Sequence, residues 1–150
     1  MKEFNLLEIF SGQNQLQKVL DMNQKPQHFG LVLTEQDAKL LVEARGEELR
    51  RQQRVEFGES ILSKLIFTFC DSEYIFQDNY VETIIRLQEI FYIFKNETMD
   101  ELTDDELLTF MRKQFENVCH GDLEYLEGTC LSNFARAIRA DQSKIWEDFR

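Results

Sequence analysis

The residues of this chain that could do chemistry are few, and the densest set is Glu116, Cys119 and His120, with Asp122 and Glu124 close behind. A carboxylate, a thiolate and an imidazole are ligands that zinc accepts. Glu116 and His120 stand four apart and would share one face of a helix. Cys119 and His120 are adjacent, however, and neighbouring side chains on a helix point about 100° apart, which makes joint ligation awkward. A further ligand would have to come from another segment. A partly buried cysteine beside a helix-end histidine accounts for the same residues, so no metal and no cofactor is expected. Cys130 is the candidate reactive thiol. Cys70 and Cys119 fall near predicted helix ends, where the dipole disfavours a thiolate, whereas Cys130 falls near a predicted helix start, where it is favoured. Packing as a small apolar side chain is the competing role for its sulfur.

The common catalytic signatures are missing. The chain holds no HExxH, P-loop, GxGxxG, GxSxG or CxxC, which removes the usual metalloprotease, nucleotide, dinucleotide, hydrolase and redox motifs. His28 and His120 are its two histidines, and ExxH, which a helical di-iron site uses in pairs, does not occur. The stretch DELTDDEL lacks the turn glycine of a calcium loop. An enzyme or small-molecule binder would have to use Glu82, Glu89, His120 or Cys130 as polar groups in an apolar pocket between helices.

Charge narrows the partners. With 28 acidic against 17 basic residues the net charge is −11, which disfavours a sequence-independent grip on nucleic acid and on anionic membranes. The dense basic cluster is Arg50, Arg51 and Arg54, with Arg45 one turn earlier. Cations at a helix carboxy terminus complement the macrodipole, and the alternative is a site for an anion or an acidic partner. Between Glu97 and Glu127 ten acidic residues face Arg112 and Lys113, a local balance of −8. That stretch is either a solvated face or an electrostatic surface for a basic partner.

The elements that must position these residues are helical. A length of 150 residues suits one domain and buries roughly 70% of the unfolded surface. One Pro and six Gly leave few breakers, which favours long helices with short connections. The expected fold is an all-α, single-domain compact bundle of about six helices. Its centre is the helix from Asn79 to Lys95, where Val81, Ile84, Ile85, Gln88, Phe91, Tyr92 and Lys95 recur at helical spacing and Leu87, Ile90 and Phe94 widen the face. Asn79 and Glu82 read as its capping box.

Around it, residues 1–10 read as a docking arm. Ser11 or Asn14 caps a helix to about Met22, with Leu16, Val19 and Leu20 inward. Residues 23–28 read as a loop and Phe29–Leu33 as an unpartnered strand. Thr34 and Asp37 open a helix through Ala38, Leu41, Val42, Arg45 and Leu49. Ile61, Leu62, Leu65, Ile66 and Phe69 mark another, ending near Cys70. Thr103 and Glu106 form the clearest capping box, followed by the stripe Leu107, Leu108, Met111 and Phe115 and a stop at Gly121. A turn at Leu123–Leu126 and a helix from about Cys130 to Ala140 follow. The apolar tail, residues 141–150 with Ile145, Trp146 and Phe149, should pack back on the domain or on a second copy.

The segments HFGLxLTEQDA, RVEFGESILSKLIFTFCDSEYI, QDNYVETIIRLQEIFYIFKNETMDELTDDELLTFM and DLEYLEGTC resemble a bacterial family of small cytoplasmic proteins, a domain of unknown function, over about residues 28–139. The resemblance implies a bacterial, single-domain, soluble protein and brings no activity or catalytic residue. The absence of a signal-peptide pattern or an 18-residue apolar run also points to the cytoplasm, and three cysteines of irregular spacing fit reduced thiols. The expected function is a non-catalytic helical module for protein interaction or self-association, with Trp146, Phe149, Arg50, Arg51 and Arg54 as contact candidates. The alternative is an enzyme or small-molecule binder with an inter-helix pocket.

Overall fold

The computed structural model describes residues 15–56 and 60–140. The expected arm at residues 1–10, the caps Ser11 and Asn14, and the tail with Ile145, Trp146 and Phe149 lie outside the described residues. The fold is all-α, with no strand among the described residues. Helical residues 15–21 (α1) lead to a single turn, α2 (Gln24–Gln27), then to α3 (Glu35–Arg51), α4 (Ile61–Phe69), α5 (Tyr80–Glu97) and α6 (Asp104–Asn117). A last helical run comprises α7 (Leu123–Tyr125), a π-turn (Leu126–Leu131) and α8 (Ser132–Ala140). The chain divides into two compact units between Gln88 and Glu89, inside α5. No helix of the described residues is long and apolar enough to cross a membrane.

In the amino-terminal unit the stretch from Asn23 to Thr34 departs from the sequence expectation. Residues 24–27 form a helical turn rather than a loop. Pro26 is buried there and is tolerated because a first-turn residue needs no backbone N–H bond. Phe29–Leu33 is no strand, although its alternation is real, with Leu31 and Leu33 buried and Val32 exposed. Side-chain amides take the place of a partner strand. Asn23 Nδ2 donates to the Leu33 carbonyl at 3.0 Å and its Oδ1 accepts from the Leu33 N–H at 2.9 Å. Gln77 does the same for Val32, accepting from its N–H at 2.8 Å and donating to its carbonyl at 2.9 Å. The backbone polar groups of an extended segment are thereby satisfied without a sheet.

Helix α3 begins at the expected box. Thr34 Oγ1 accepts from the Asp37 N–H and Asp37 Oδ2 from the Thr34 N–H, both at 3.1 Å. Ala38 and Leu41 face the core. Helix α4 is capped by Ser60 and by Glu56, whose Oε2 accepts from the Ile61 N–H at 2.9 Å. Its five expected apolar residues, Ile61, Leu62, Leu65, Ile66 and Phe69, are all buried. Each such side chain contributes about 1.5–3 kcal/mol of transfer free energy.

Helix α5 buries ten residues, Tyr80, Thr83, Ile84, Leu87, Gln88, Ile90, Phe91, Tyr92, Phe94 and Lys95; all but Tyr80 and Thr83 belong to the wide face read from its spacing, whose Val81 and Ile85 are only half-buried. The expected box of Asn79 and Glu82 is absent. Asn79 Oδ1 accepts instead from the Phe76 N–H at 2.7 Å and its Nδ2 donates to the Tyr74 carbonyl, so the side chain holds the 3₁₀ turn Gln77–Asn79 that precedes the helix. An Asn that bonds backward in this way competes with capping forward.

In the carboxy-terminal unit Thr103 and Glu106 form their box, with bonds of 3.1 and 2.9 Å, and Leu107, Leu108, Met111 and Phe115 are the buried stripe of α6. The connection from α5 is closed by Lys95, which is nearly buried, pairs with Asp104 at 2.9 Å and donates to the Leu102 carbonyl. After Asn117 the chain unwinds. His120 and Gly121 take positive φ values of 50° and 86°, and the Gly121 N–H reaches the Phe115 carbonyl at 3.0 Å in the pattern that ends helices. The last two helical segments were expected to be separate, yet residues 123–140 are one helical run. Asp122 caps it by accepting from the Glu124 and Tyr125 N–H groups. The π-turn spans Gly128, and Ser132 Oγ donates to the Glu127 carbonyl at 2.9 Å. Arg139 ties α8 to the end of α5 through Glu97 at 2.5 Å.

Candidate functional site

The end of α6 and the π-turn that packs against it bring together part of the set picked from the sequence. Cys119 is buried and Cys130 half-buried, and their sulfurs lie 3.7 Å apart as hydrogen-bonding thiols. Burial first, then the Cys130 thiol and the Asp122 charge, push the Cys119 thiol up to about 12. Its neutral form is strongly favoured. Glu116 and His120 do not share a helix face, because α6 ends at Asn117 and His120 sits exposed in the left-handed turn. Glu116 lies 3.4 Å from Arg112. Among the described residues no group of three or more His, Cys, Asp or Glu is arranged to hold a metal ion.

Cys130 does not stand at a free helix start. The run that contains it begins at Leu123, seven residues before it, so Cys130 lies beyond the first turn whose N–H groups a helix terminus exposes, and the dipole argument for an activated thiolate does not apply at its position. Its notable neighbour is the other thiol. The sequence held no signal for this pair, since eleven residues separate the two and only the unwound turn and the wide π-turn bring them together.

The second feature of this unit is an open groove of about 360 Å³ on α6 and α8, lined by Leu102, Asp105, Glu106, Thr109, Phe110, Lys113 and Phe134. Phe110 and Phe134 stack with ring centroids 4.3 Å apart and planes 21° from parallel, which gives the groove an aromatic floor. Asp105, Glu106 and Lys113 supply its charges. In the sequence, Glu106 reads as a capping-box residue and Asp105 and Glu106 as members of the acidic stretch 97–127, whereas Phe110, beside the buried stripe, belongs to no motif.

The other sequence candidates among the described residues lie in the amino-terminal unit, except Glu89, which is the first residue of the carboxy-terminal one. Arg45 forms an ion pair with Glu56 at 2.8 Å, with both side chains largely shielded. Arg51 pairs at 2.5 Å with Glu48, whose buried carboxylate also accepts from Gln52. Arg50 is exposed. The basic cluster is thus partly neutralised by carboxylates of α3 and its end. Glu82 is exposed and Glu89 half-buried. Burial, and secondarily Cys70, raises the Tyr80 hydroxyl above its ordinary value. Phe67 and Phe76 are exposed, and Lys25 lies over the Phe67 ring at 3.6 Å while donating to its carbonyl.

No curated protein and no solved structure matches the chain. The segments that suggested a domain of unknown function have a direct counterpart, because residues 18–144 match the family of unknown function DUF6323, and the chain belongs to that family.

Proposed function

We propose that this protein is a non-catalytic interaction module of the bacterial cytoplasm and that the groove on α6 and α8 receives a segment of a partner protein. The observation that carries this reading is the stacked pair Phe110 and Phe134 under an open groove edged by Asp105, Glu106 and Lys113. Large aromatic side chains in a concave, partly wet surface are what interfaces use as anchoring sites, with charges around them setting orientation. The local excess of acid between Glu97 and Glu127 suits a partner segment with an apolar anchor and flanking Lys or Arg. A small-molecule site is the second reading, favoured by a volume within the range of ligand pockets.

The test uses peptides displayed in a random library and selected on the purified protein. Thr109 is exposed and lines the groove, so Thr109→Arg fills it without touching the buried stripe. The expected result is a set of basic, apolar-anchored peptides that bind the parent protein and lose at least tenfold in affinity for T109R. Peptides that bind T109R equally well would overturn the placement, and self-association abolished by T109R would make a second copy the partner.

A further inference from the structure

The pair of sulfurs reaches beyond the interaction reading and does not depend on it. Cys119 Sγ and Cys130 Sγ stand 3.7 Å apart. They need to close by roughly 1.7 Å to reach a disulfide bond of about 2 Å, a movement within reach of side-chain rotation. One partner is buried and the other half-buried, so a reagent from solvent meets Cys130 before Cys119. Cys130 also belongs to the π-turn Leu126–Leu131, a rare type of helical turn that is frequent at functional sites. Two thiols at this spacing could also be two corners of a tetrahedral soft-metal site, whose sulfur edges are about 3.8 Å for bonds near 2.3 Å. No third His, Cys, Asp or Glu completes such a site among the described residues, whereas a disulfide needs only the two.

We infer that Cys119 and Cys130 are a reversible dithiol–disulfide pair, oxidised by a hydroperoxide through Cys130. In the first step the Cys130 sulfur attacks the O–O bond. A sulfur–oxygen bond forms, the O–O bond breaks, and the departing alkoxide takes the thiol proton and leaves as an alcohol, or as water from hydrogen peroxide. In the second step the Cys119 sulfur attacks the sulfenic sulfur of Cys130. The disulfide forms, the sulfur–oxygen bond breaks, and hydroxide leaves as water with the Cys119 proton. The two sulfurs lose two electrons and the peroxide gains them. A dithiol reductant reverses the change by thiol–disulfide exchange.

The experiment treats the reduced full chain with hydrogen peroxide at about one to ten equivalents and reads intact mass and peptides without reduction. Both cysteines fall in one tryptic peptide, Gln114–Arg136, so a glutamyl endoprotease cutting after Glu124 and Glu127 is used to separate them. The expected product has lost two hydrogens, carries a cross-link between the Cys119 and Cys130 peptides, returns to the starting mass with dithiothreitol, and forms equally in Cys70→Ser. Cys119→Ser should stop at a Cys130 sulfenic acid that a dimedone reagent traps, with circular dichroism showing that the variant is folded. Oxidation of Cys130 to the sulfinic acid with Cys119 still reduced would overturn the proposal. So would cross-links to Cys70 or between molecules, or no reaction where a free thiol peptide is consumed.

Discussion

Two irregular stretches of this chain solve the same problem in opposite ways. Residues 31–34 leave regular structure in the amino-terminal unit, and Asn23 and Gln77 bind both polar groups of Leu33 and Val32 at 2.8–3.0 Å. Residues 118–122 leave it in the carboxy-terminal unit with a non-glycine residue, His120, at a φ of 50°, a buried thiol and a neighbouring π-turn. The first stretch is closed, since each amide side chain fits one peptide unit and nothing reactive is left over. The second keeps a strained backbone and two sulfurs that have each other as partners. Strained or wide turns with chemically versatile groups mark function more often than saturated ones do, so the carboxy-terminal unit carries the functional reading.

That contrast can be broken from its closed side first. Asn23→Ala removes both partners of the backbone of the buried Leu33 and should cost about 1–3 kcal/mol in urea or thermal unfolding. A cost near zero would mean that the clamp is ornamental and the comparison empty. Thr103→Ala removes the capping oxygen from α6, the helix that carries the groove, and is expected to lower stability by about 1 kcal/mol without altering the amide clamp. Gln77→Ala should cost less than Asn23→Ala, about 0.5–1 kcal/mol, because the Val32 groups it bonds are exposed and water replaces it.

The open side gives a pH signature. Cys119 is raised from about 9 to about 12 by burial and by the neighbouring thiol and carboxylate. The folded state therefore keeps its proton where the unfolded state has lost it. The contribution is complete below about pH 9 and fades as pH rises toward 12. Stability of the parent protein relative to Cys119→Ala should be constant from pH 7 to 8.5 and then decline. Alkylation at pH 8 should label Cys130 well before Cys119. Equal labelling rates would contradict the burial on which this contrast rests.

The sequence disclosed whatever depends on near neighbours. Thr34 with Asp37 and Thr103 with Glu106 are three apart, and both boxes formed. The stripes of α4 and α6 follow from helical period alone. What was hidden depends on residues distant in the chain or on a choice between equal local bonds. Gln77 reaches Val32 across 45 residues, and no pattern in either segment announces it. Asn79 could bond forward to the helix or backward to the turn, and the Phe76 N–H won. The turn at Leu123–Leu126 and the helix from about Cys130 read as separate segments, whereas an i-to-i+5 turn carries the helix from one into the other. The groove was equally hidden, because Phe110 and Phe134 are 24 residues apart in sequence, on different helices, and neither belongs to a motif.

The most direct test of where function lies is backbone amide NMR of the isotopically labelled protein during titration with a selected peptide. The expected shifts are concentrated at Asp105–Lys113 and around Phe134, with Val32 and Leu33 unmoved. Shifts centred on Phe29, Val32 and Phe76, with α6 and α8 silent, would contradict it and move the functional surface to the amino-terminal unit.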